Sequence, residues 1–327
     1  MAVTFAIIAL VLGLPVTAIR TVQCEVPWSS GMEVKVTHRY GAVSITGRDQ
    51  AKVVADAVIR ATAADRRRAD ELVQGITVRA TAYQDTVSVN TVYPADLEPT
   101  PDMSYEVDLA LTVPSSAVVL VRNSFGDITA TNLGAPCRLE NRFGNVVLDQ
   151  CRDGQVRNRC GDVRVRHSTG SLAVENSFGS VFLDSVSDRA VVQNRYGDVR
   201  GSDMSGVVHV DNRLGTVSAQ RNAGKLTVVN CFGDVSARVD DVGLTDLDVV
   251  SELGQVELNF GRLLPFRLDG STLEGAIHHS ALPVRVEQTG QHRIVHGALG
   301  QGGPVIRLTG AWTDFLIQAE SGNTQER

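Results

Sequence analysis

Aromatic residues are scarce in this chain, since Phe, Trp and Tyr together make up 5% of its 327 residues. Basic residues do not cluster either: the longest basic run is Arg66 to Arg68, and the formal net charge is −6. Without a basic patch the sequence excludes nucleic-acid binding, which needs an electrostatic footprint. Nucleotide-binding glycine motifs and the G-x-S-x-G and H-E-x-x-H motifs are also missing from the sequence, so it indicates no familiar catalytic machinery.

One short phrase, Asn-x-aromatic-Gly-Asp-Val in its fullest form, returns eight times between Leu120 and Asn259. Its glycines are 18, 17, 18, 18, 18, 18 and finally 21 residues apart. Self-similarity at a fixed period indicates stacked units that bury their apolar faces against their neighbours. The glycines predicted to turn the chain are Gly126, Gly144, Gly161, Gly179, Gly197, Gly215 and Gly233.

Side chains around each glycine alternate with a period of two. Positions −7, −5, −3 and −1 from the glycine share one parity and are rich in valine, which favours strands over helix. A propeller blade needs about 40 residues, more than twice this period. The sequence therefore predicts an all-β fold, a single-stranded parallel β-solenoid (β-helix) of 18-residue coils. An N-terminal capping segment with one short helix would cover its first edge.

Position −3 holds the amide side chain that recurs in seven repeats. Its inward parity predicts a buried structural ladder in which amides bond to the amides above and below. The alternative is that Asn eases a corner conformation of the backbone. The residues are Asn123, Asn141, Asn158, Asn176, Asn194, Asn212 and Asn230.

Position −1 is predicted to form an aromatic core column, made of Phe125, Phe143, Phe178, Tyr196 and Phe232. Cys160 occupies the same slot and is interpreted as core filler. At position +1 we interpret the aspartates of alternate repeats as turn formers rather than calcium ligands. The arginines at position −2 form either a solvated face or a contact surface for an acidic glycan or anionic lipid: Arg142, Arg159, Arg195 and Arg213.

The ends of the chain are less regular. Residues 1–18 are apolar and are predicted to be a signal peptide, or else an uncleaved membrane anchor, and 19–30 a linker. Residues 31–118 form the N-terminal coil and cap region, with a strand at Lys52–Thr62, a surface helix at Ala64–Gln74 and a hairpin at Thr77–Tyr93. Regular coils occupy 119–260 and degenerate terminal coils 261–320, where Trp312 would close the last hydrophobic layer. A disordered tail is predicted for 321–327.

The unit YGAVSITG, the strand–helix–strand segment after it, and the tandem Asn-x-aromatic-Gly-Asp-Val phrases together resemble a known family. The chain is similar to bacterial adhesin-like proteins with β-strand repeats, a domain of unknown function, over roughly Val34 to Leu316. In that family the phrase is usually Asn-Gly-Asp-Ile or Asn-Gly-Asp-Val, and here an aromatic residue is inserted. The resemblance implies an exported or envelope-associated protein with roles in surface adhesion or envelope-stress signalling, and it implies no catalytic residues.

The sequence predicts neither a metal site nor a cofactor. His278, His279, His292 and His296 lie in apparent strands with no completing carboxylate or cysteine set. Among the five cysteines, Cys137 and Cys151 lie close enough to pair across a turn.

We therefore expect a non-enzymatic, adhesin-like or structural protein of the cell envelope or extracellular space. Its expected partner is itself, end to end, or a cell-surface glycan or envelope component, with membrane contact only through residues 2–19. An envelope-stress sensor or ligand-binding module is the alternative function, and a polysaccharide-active enzyme is the second alternative.

Overall fold

The computed structural model describes residues 15–94, 103–240, 243–261, 264–280 and 282–319. These residues form 26 strands and one helix. None of the helical structure in these ranges is long and apolar enough to cross a membrane. The predicted tail 321–327, residues 95–102 and most of the predicted signal segment lie outside the described residues.

The N-terminal region is a mixed cap. Its elements are β1 (Val16–Pro27), β2 (Glu33–Thr37), β3 (Val43–Arg48), β4 (Lys52–Ala63), α1 (Arg66–Gly75), β5 (Thr77–Tyr83), β6 (Thr86–Val92) and β7 (Ser104–Pro114). The predicted strand, helix and hairpin are thereby confirmed. Asp65 caps α1 by accepting a hydrogen bond from the Arg68 amide, and Ala69, Leu72 and Val73 form the buried side of the helix.

The predicted linker at 19–30 is wrong, because β1 pairs antiparallel with β4 along its whole length. Its even-numbered apolar residues, such as Ala18, Val22 and Val26, alternate as in a strand and face the core, and pairing with β4 fixes this conformation. Ala18 is buried opposite Ala61, so the last residues of the predicted signal segment lie within β1.

The repeats form two parallel ladders of strands. The strands are β8 (Val118–Phe125), β9 (Ile128–Leu133), β10 (Cys137–Phe143), β11 (Val146–Cys160), β12 (Val163–Phe178), β13 (Val181–Val186), β14 (Arg189–Tyr196), β15 (Val199–Ser202), β16 (Val207–Leu214), β17 (Val217–Gln220), β18 (Gly224–Phe232), β19 (Val235–Val239) and β20 (Leu244–Phe260). In the front ladder β8, β10, β11, β12, β14, β16, β18 and β20 pair in that order. In the back ladder β9, β11, β12, β13, β15, β17, β19 and β20 do so. Equivalent residues of successive repeats face each other, as Asn176 faces Asn194.

The predicted single-stranded parallel β-solenoid of separate coils is wrong. The fold is a closed nine-strand parallel β-barrel with the other strands bonded outside it. The ring comprises β12 to β20, because β12 continues through Gly170 and β20 continues through Gly254. As a result β12 and β20 each pair with both ladders and join them into a ring.

The C-terminal region closes the other end. Its strands are β21 (Phe266–Leu273), β22 (Ile277–Ser280), β23 (Val284–Thr289), β24 (His292–Leu299), β25 (Val305–Ala311) and β26 (Thr313–Ala319). Strands β25 and β26 extend the two ladders in parallel from β20. Beyond β25 lie β21 and then the antiparallel β24 and β23. Phe260, Phe266 and Phe315 fill the last apolar layer, whereas Trp312 is 56% exposed and does not.

The core is a set of aliphatic columns. Position −5 is buried in every repeat, because its parity turns it inward and each valine or leucine contacts the equivalent residue above and below. The column consists of Val121, Leu139, Val156, Val174, Val192, Val210, Val228 and Val249.

We predict that Gly197→Ala lowers the free energy of unfolding by about 2 kcal/mol or more. Gly197 has a φ of +128°, and a Cβ there would overlap the carbonyl of Gly179. The control is Gly290→Ala, which also has a positive φ but whose Cβ would meet no atom. Urea unfolding of both variants checks the prediction, and equal losses would contradict it.

Candidate functional site: an exposed ridge and its arginine row

Each repeat turns a corner between its Asn and its Gly. The Asn side chain is buried and its Nδ2 donates to the carbonyl of the glycine three residues later, as from Asn176 to Gly179 at 3.0 Å and from Asn194 to Gly197 at 2.9 Å. Direct amide-to-amide bonds also occur, from Asn194 to Asn212 at 3.2 Å and from Asn212 to Asn230 at 3.1 Å. The Asn side chains of the predicted ladder are therefore buried, but they donate to the glycine carbonyl of their own corner more often than to each other.

The aspartates after the glycines also act locally. The Asp162 carboxylate accepts the backbone N–H of Ser180 at 2.9 Å, and Asp198 accepts that of Thr216 at 3.0 Å. Each aspartate thus caps the equivalent turn of the next repeat, which supports their interpretation as turn formers.

The predicted aromatic core column is wrong, because its residues lie at the surface. Phe125, Phe143, Phe178, Tyr196 and Phe232 are 39% to 47% exposed. The corner begins directly after the buried Asn, so the two-residue alternation stops there and position −1 turns outward. A parity argument assumes an unbroken strand up to the glycine, and this strand bends first.

The outward side chains form one continuous line that we call the ridge. Ladder pairing places Phe125, Phe143, Cys160, Phe178, Tyr196, Leu214, Phe232 and Leu253 next to each other in that order. Tyr40 bridges to Phe125 at one end. At the other end Trp312 precedes Thr313, the partner of Gly254. The ridge therefore spans ten positions: Tyr40, Phe125, Phe143, Cys160, Phe178, Tyr196, Leu214, Phe232, Leu253 and Trp312.

Neighbouring rings in the ridge are stacked face to face. Tyr40 and Phe125 have centroids 5.3 Å apart with an interplanar angle of 11°, and Phe125 and Phe143 are 5.1 Å apart at 9°. Phe178 and Tyr196 are 4.9 Å apart at 2°. Rings this close leave no space between them, so the ridge presents ring edges to solvent.

Four of the eight repeats carry an arginine one residue before the ridge position, and the other four carry Ser124, Ser177, Cys231 and Glu252 there. Arg142, Arg159, Arg195 and Arg213 are exposed and form no ion pair with the described residues. The arginines at position −4 do form ion pairs. Arg122 pairs with Glu140 at 2.9 Å and Arg157 with Glu175 at 3.1 Å. We call Arg142, Arg159, Arg195 and Arg213 the arginine row; it borders an open groove on the front ladder.

On the other side of the ridge, at position +1, two of the four aspartates form ion pairs with arginines. Asp162 lies 3.7 Å from Arg164 and Asp198 lies 2.9 Å from Arg200. The four guanidinium groups of the arginine row thus lie beside the ridge without an ion pair to any described residue, with Asp211 and Glu252 near Arg213.

Comparison with known proteins finds solved structures of low sequence identity. No protein-family model and no curated protein matches the chain. A candidate cell adhesion protein from Clostridium sporogenes matches at 7% identity and a TM-score of 0.22, over 94% of this chain and 100% of that one. A candidate adhesin from Parabacteroides merdae matches at 6% identity and a TM-score of 0.36, over 91% and 96%.

A candidate lipid binding protein from Parabacteroides distasonis matches at 11% identity and a TM-score of 0.37, over 91% of this chain and 96% of that one. All three matches are at 11% identity or less and have TM-scores below 0.4. With TM-scores below 0.5, the likeness carries no argument about the ligand of this chain.

Other candidate residues are placed apart from the ridge. In the described part of the chain no group of three or more His, Cys, Asp or Glu side chains is arranged to hold a metal ion. His292 and His296 lie on strand β24, and His296 pairs with Asp269 at 2.8 Å on the surface. All five cysteines are free thiols. Cys137 and Cys151 are buried neighbours, and the hydrogen bond between their thiols, together with burial, raises the pKa of Cys137.

Phe178→Asp should lower the free energy of unfolding by less than about 1 kcal/mol, because the side chain is 47% exposed. The matched change Val192→Asp places a charge at a fully buried position of the −5 column and should prevent stable folding. Thermal unfolding followed by circular dichroism separates the two. Cooperative loss of structure in the Phe178 variant would restore the core interpretation of the column.

His38 lies three residues before Gly41, at the position that Asn holds in seven of the eight repeats. It should make the free energy of unfolding sensitive to acid. It is buried, with Nδ1 2.9 Å from the Thr91 hydroxyl, and burial lowers the pKa of His38 from 6.5 to about 4. Because the unfolded chain takes up the proton first, stability should fall as the pH drops from 6.5 toward 4, by about 1.4 kcal/mol per pH unit.

The measurement is the urea midpoint of the wild type and of His38→Asn across this pH range. The variant carries the amide that the other repeats use and should lose this part of the acid sensitivity. Parallel pH profiles for the two proteins would contradict the assignment.

Proposed function

We propose that this chain is a non-catalytic, exported protein of the adhesin-like or structural kind that acts at the cell surface or envelope. The observation that carries the proposal is the ridge with its arginine row. Exposed apolar side chains in one contiguous patch mark interaction sites, and here they follow a straight ladder along the molecule. Such a surface suits an extended partner such as a cell-surface glycan or another envelope component, rather than a small molecule.

The shape of the surface supports binding without turnover. The groove beside the arginine row is open and is lined mainly by Arg, Asn and Ser side chains. A polysaccharide-active enzyme would need an acid–base pair of carboxyls facing one another across the substrate. Two of the three carboxylates of this groove, Glu140 and Glu175, are instead held by Arg122 and Arg157, and the third, Asp211, has no second carboxyl opposite it among the lining residues of its part of the groove except the paired Glu175.

Contact along the side is favoured over end-to-end stacking. Strand β23 forms an end of the front ladder, is six residues long, and carries Arg285 and Glu287 as an exposed ion pair. Short charged edge strands discourage pairing with another chain. The opposite end of the same ladder finishes in the antiparallel hairpin of β5 and β6.

The proposal predicts that the purified full chain cosediments with isolated envelopes of the bacterium that makes it. The ridge variant Phe143→Ser/Phe178→Ser/Tyr196→Ser should lose most of this binding, because it removes the central apolar side chains. The matched control Val118→Ser/Tyr83→Ser/Val207→Ser changes three apolar residues away from the ridge that are 39% to 75% exposed, and it should bind like the wild type.

Equal binding by the two triple variants would contradict a role for the ridge. Incubation of the chain with acidic polysaccharides should release no shortened product. Reproducible release of oligosaccharides would favour the enzymatic alternative instead.

A further inference from the structure

We propose that the ridge is a membrane-docking edge, which lies in the interface of a bilayer containing anionic lipids while the arginine row binds the headgroup phosphates. This inference rests on the proposed function and names the partner of the same surface. It places membrane contact on the folded body of the protein, in addition to any contact through residues 2–19.

The ring orientation favours hydrocarbon as the ridge's partner. Sugars pack against the flat faces of aromatic rings, but each ring of the pairs Phe125–Phe143 and Phe178–Tyr196 has one face covered by its stacked neighbour. The C–H edges of these rings stay exposed, and Leu214, Phe232 and Leu253 continue the apolar line. A row of ring edges and aliphatic groups is complementary to acyl chains rather than to hydroxyl-rich polymers.

The length of the ridge suits an extended surface. Its residues follow successive ladder positions about 4.8 Å apart, so ten positions extend over roughly 40 Å along the ladder. The line includes Tyr40 and Tyr196 and ends at Trp312, which is 56% exposed. Tyr and Trp prefer the membrane–water interface, where the ring is buried and the polar group reaches water.

The arginine row supplies the electrostatic part. Arg142, Arg159, Arg195 and Arg213 each lie one residue before a ridge position, so their guanidinium groups reach the level of the headgroups when the ridge is inserted. Long arginine stems can lie along apolar surface while the charge stays in the polar layer. Guanidinium groups bind phosphate through two parallel hydrogen bonds, and none of the four has an acidic partner in the described chain.

The acidic residues nearby do not reverse this preference. Asp162 and Asp198 face Arg164 and Arg200. Asp127 and Asp234 each accept a backbone N–H from the next turn, at 2.7 Å and 2.9 Å. A hydrogen-bonded carboxylate has its charge partly satisfied within the turn.

Asp211 and Glu252 lie near Arg213 at one end of the row, and Glu274 accepts a hydrogen bond from Trp312 at 2.6 Å. The headgroup phosphates would therefore be bound mainly by Arg142, Arg159 and Arg195.

A tryptophan of the chain can serve as an intrinsic fluorescence probe for the test. Of its two tryptophans, Trp312 ends the ridge, whereas Trp28 is partly buried in the cap and donates to the Met32 carbonyl at 2.8 Å. In the full chain with Trp28→Phe, fluorescence therefore reports on Trp312 alone. Vesicles of phosphatidylcholine, with and without phosphatidylglycerol, are added, and lipids brominated along the acyl chain serve as quenchers.

We expect a blue shift and quenching of Trp312 on vesicles that contain phosphatidylglycerol. Binding should be about tenfold or more tighter than to phosphatidylcholine alone and should weaken at high salt. Vesicle flotation of the chain with both tryptophans gives the same comparison without the Trp28 substitution. Phe143→Ser/Phe178→Ser/Tyr196→Ser should lose at least about tenfold in binding, because three inserted apolar groups are removed.

Replacement of the four arginines by Gln should abolish the preference for phosphatidylglycerol while leaving weak binding. The control Val118→Ser/Tyr83→Ser/Val207→Ser should float like the wild type. Binding that persists in the ridge variant would assign it to another segment, including residues 2–19, and would overturn the inference.

Absence of vesicle binding, with ridge-dependent envelope binding retained, would overturn the membrane assignment and leave the proposed function standing. Ridge-dependent binding to a soluble acidic polysaccharide, or ridge-dependent self-association in sedimentation, would also overturn it if vesicles are not bound. Loss of both envelope and vesicle binding would remove the proposed function as well.

Discussion

The close approach of successive corner glycines is the constraint on which the repeats depend. At each corner the chain passes against the carbonyl of the preceding repeat's glycine, so closely that no Cβ fits, as at Gly161, Gly179 and Gly197. The φ near +127° to +129° at these positions is accessible to glycine alone at little cost. This approach lets the backbone hydrogen bonds of both ladders continue past the corner, as from Gly179 N–H to the Tyr196 carbonyl at 2.9 Å.

The corner also decides which side chains are inside. The buried Asn closes it by donating to the glycine carbonyl, which satisfies a group that would otherwise be unpaired. Position −1 lies within this corner, between the Asn and the glycine, and its side chain therefore points to solvent. Because every repeat makes the same corner in register, a local outward turn becomes a ridge along the molecule. The candidate binding surface thus results from the way the backbone bends at each corner.

Sequence patterns predicted the local elements well where one rule applied without competition. The helix at Arg66–Gly75 followed from its charge run and apolar stripe, and the hairpin of β5 and β6 from the Gln84–Asp85 turn. The −5 column followed from alternation alone. Position −1 was mispredicted because alternation and the glycine bend compete there, and only the position of the bend decides the outcome. The fold class was wrong because strand continuity through Gly170 and Gly254 depends on pairing to neighbours.

By itself the sequence determined the period, the identity of the glycine turns, the inward Asn and the aliphatic columns, because these depend on residue type and on contacts with the next repeat. Tertiary structure decided the closure into a nine-strand ring and the outward direction of the aromatic line. It also brought the arginine row beside that line and left it without acidic partners among the described residues. These features depend on where the backbone bends and on which strands remain hydrogen-bonded through a turn, which no single repeat encodes.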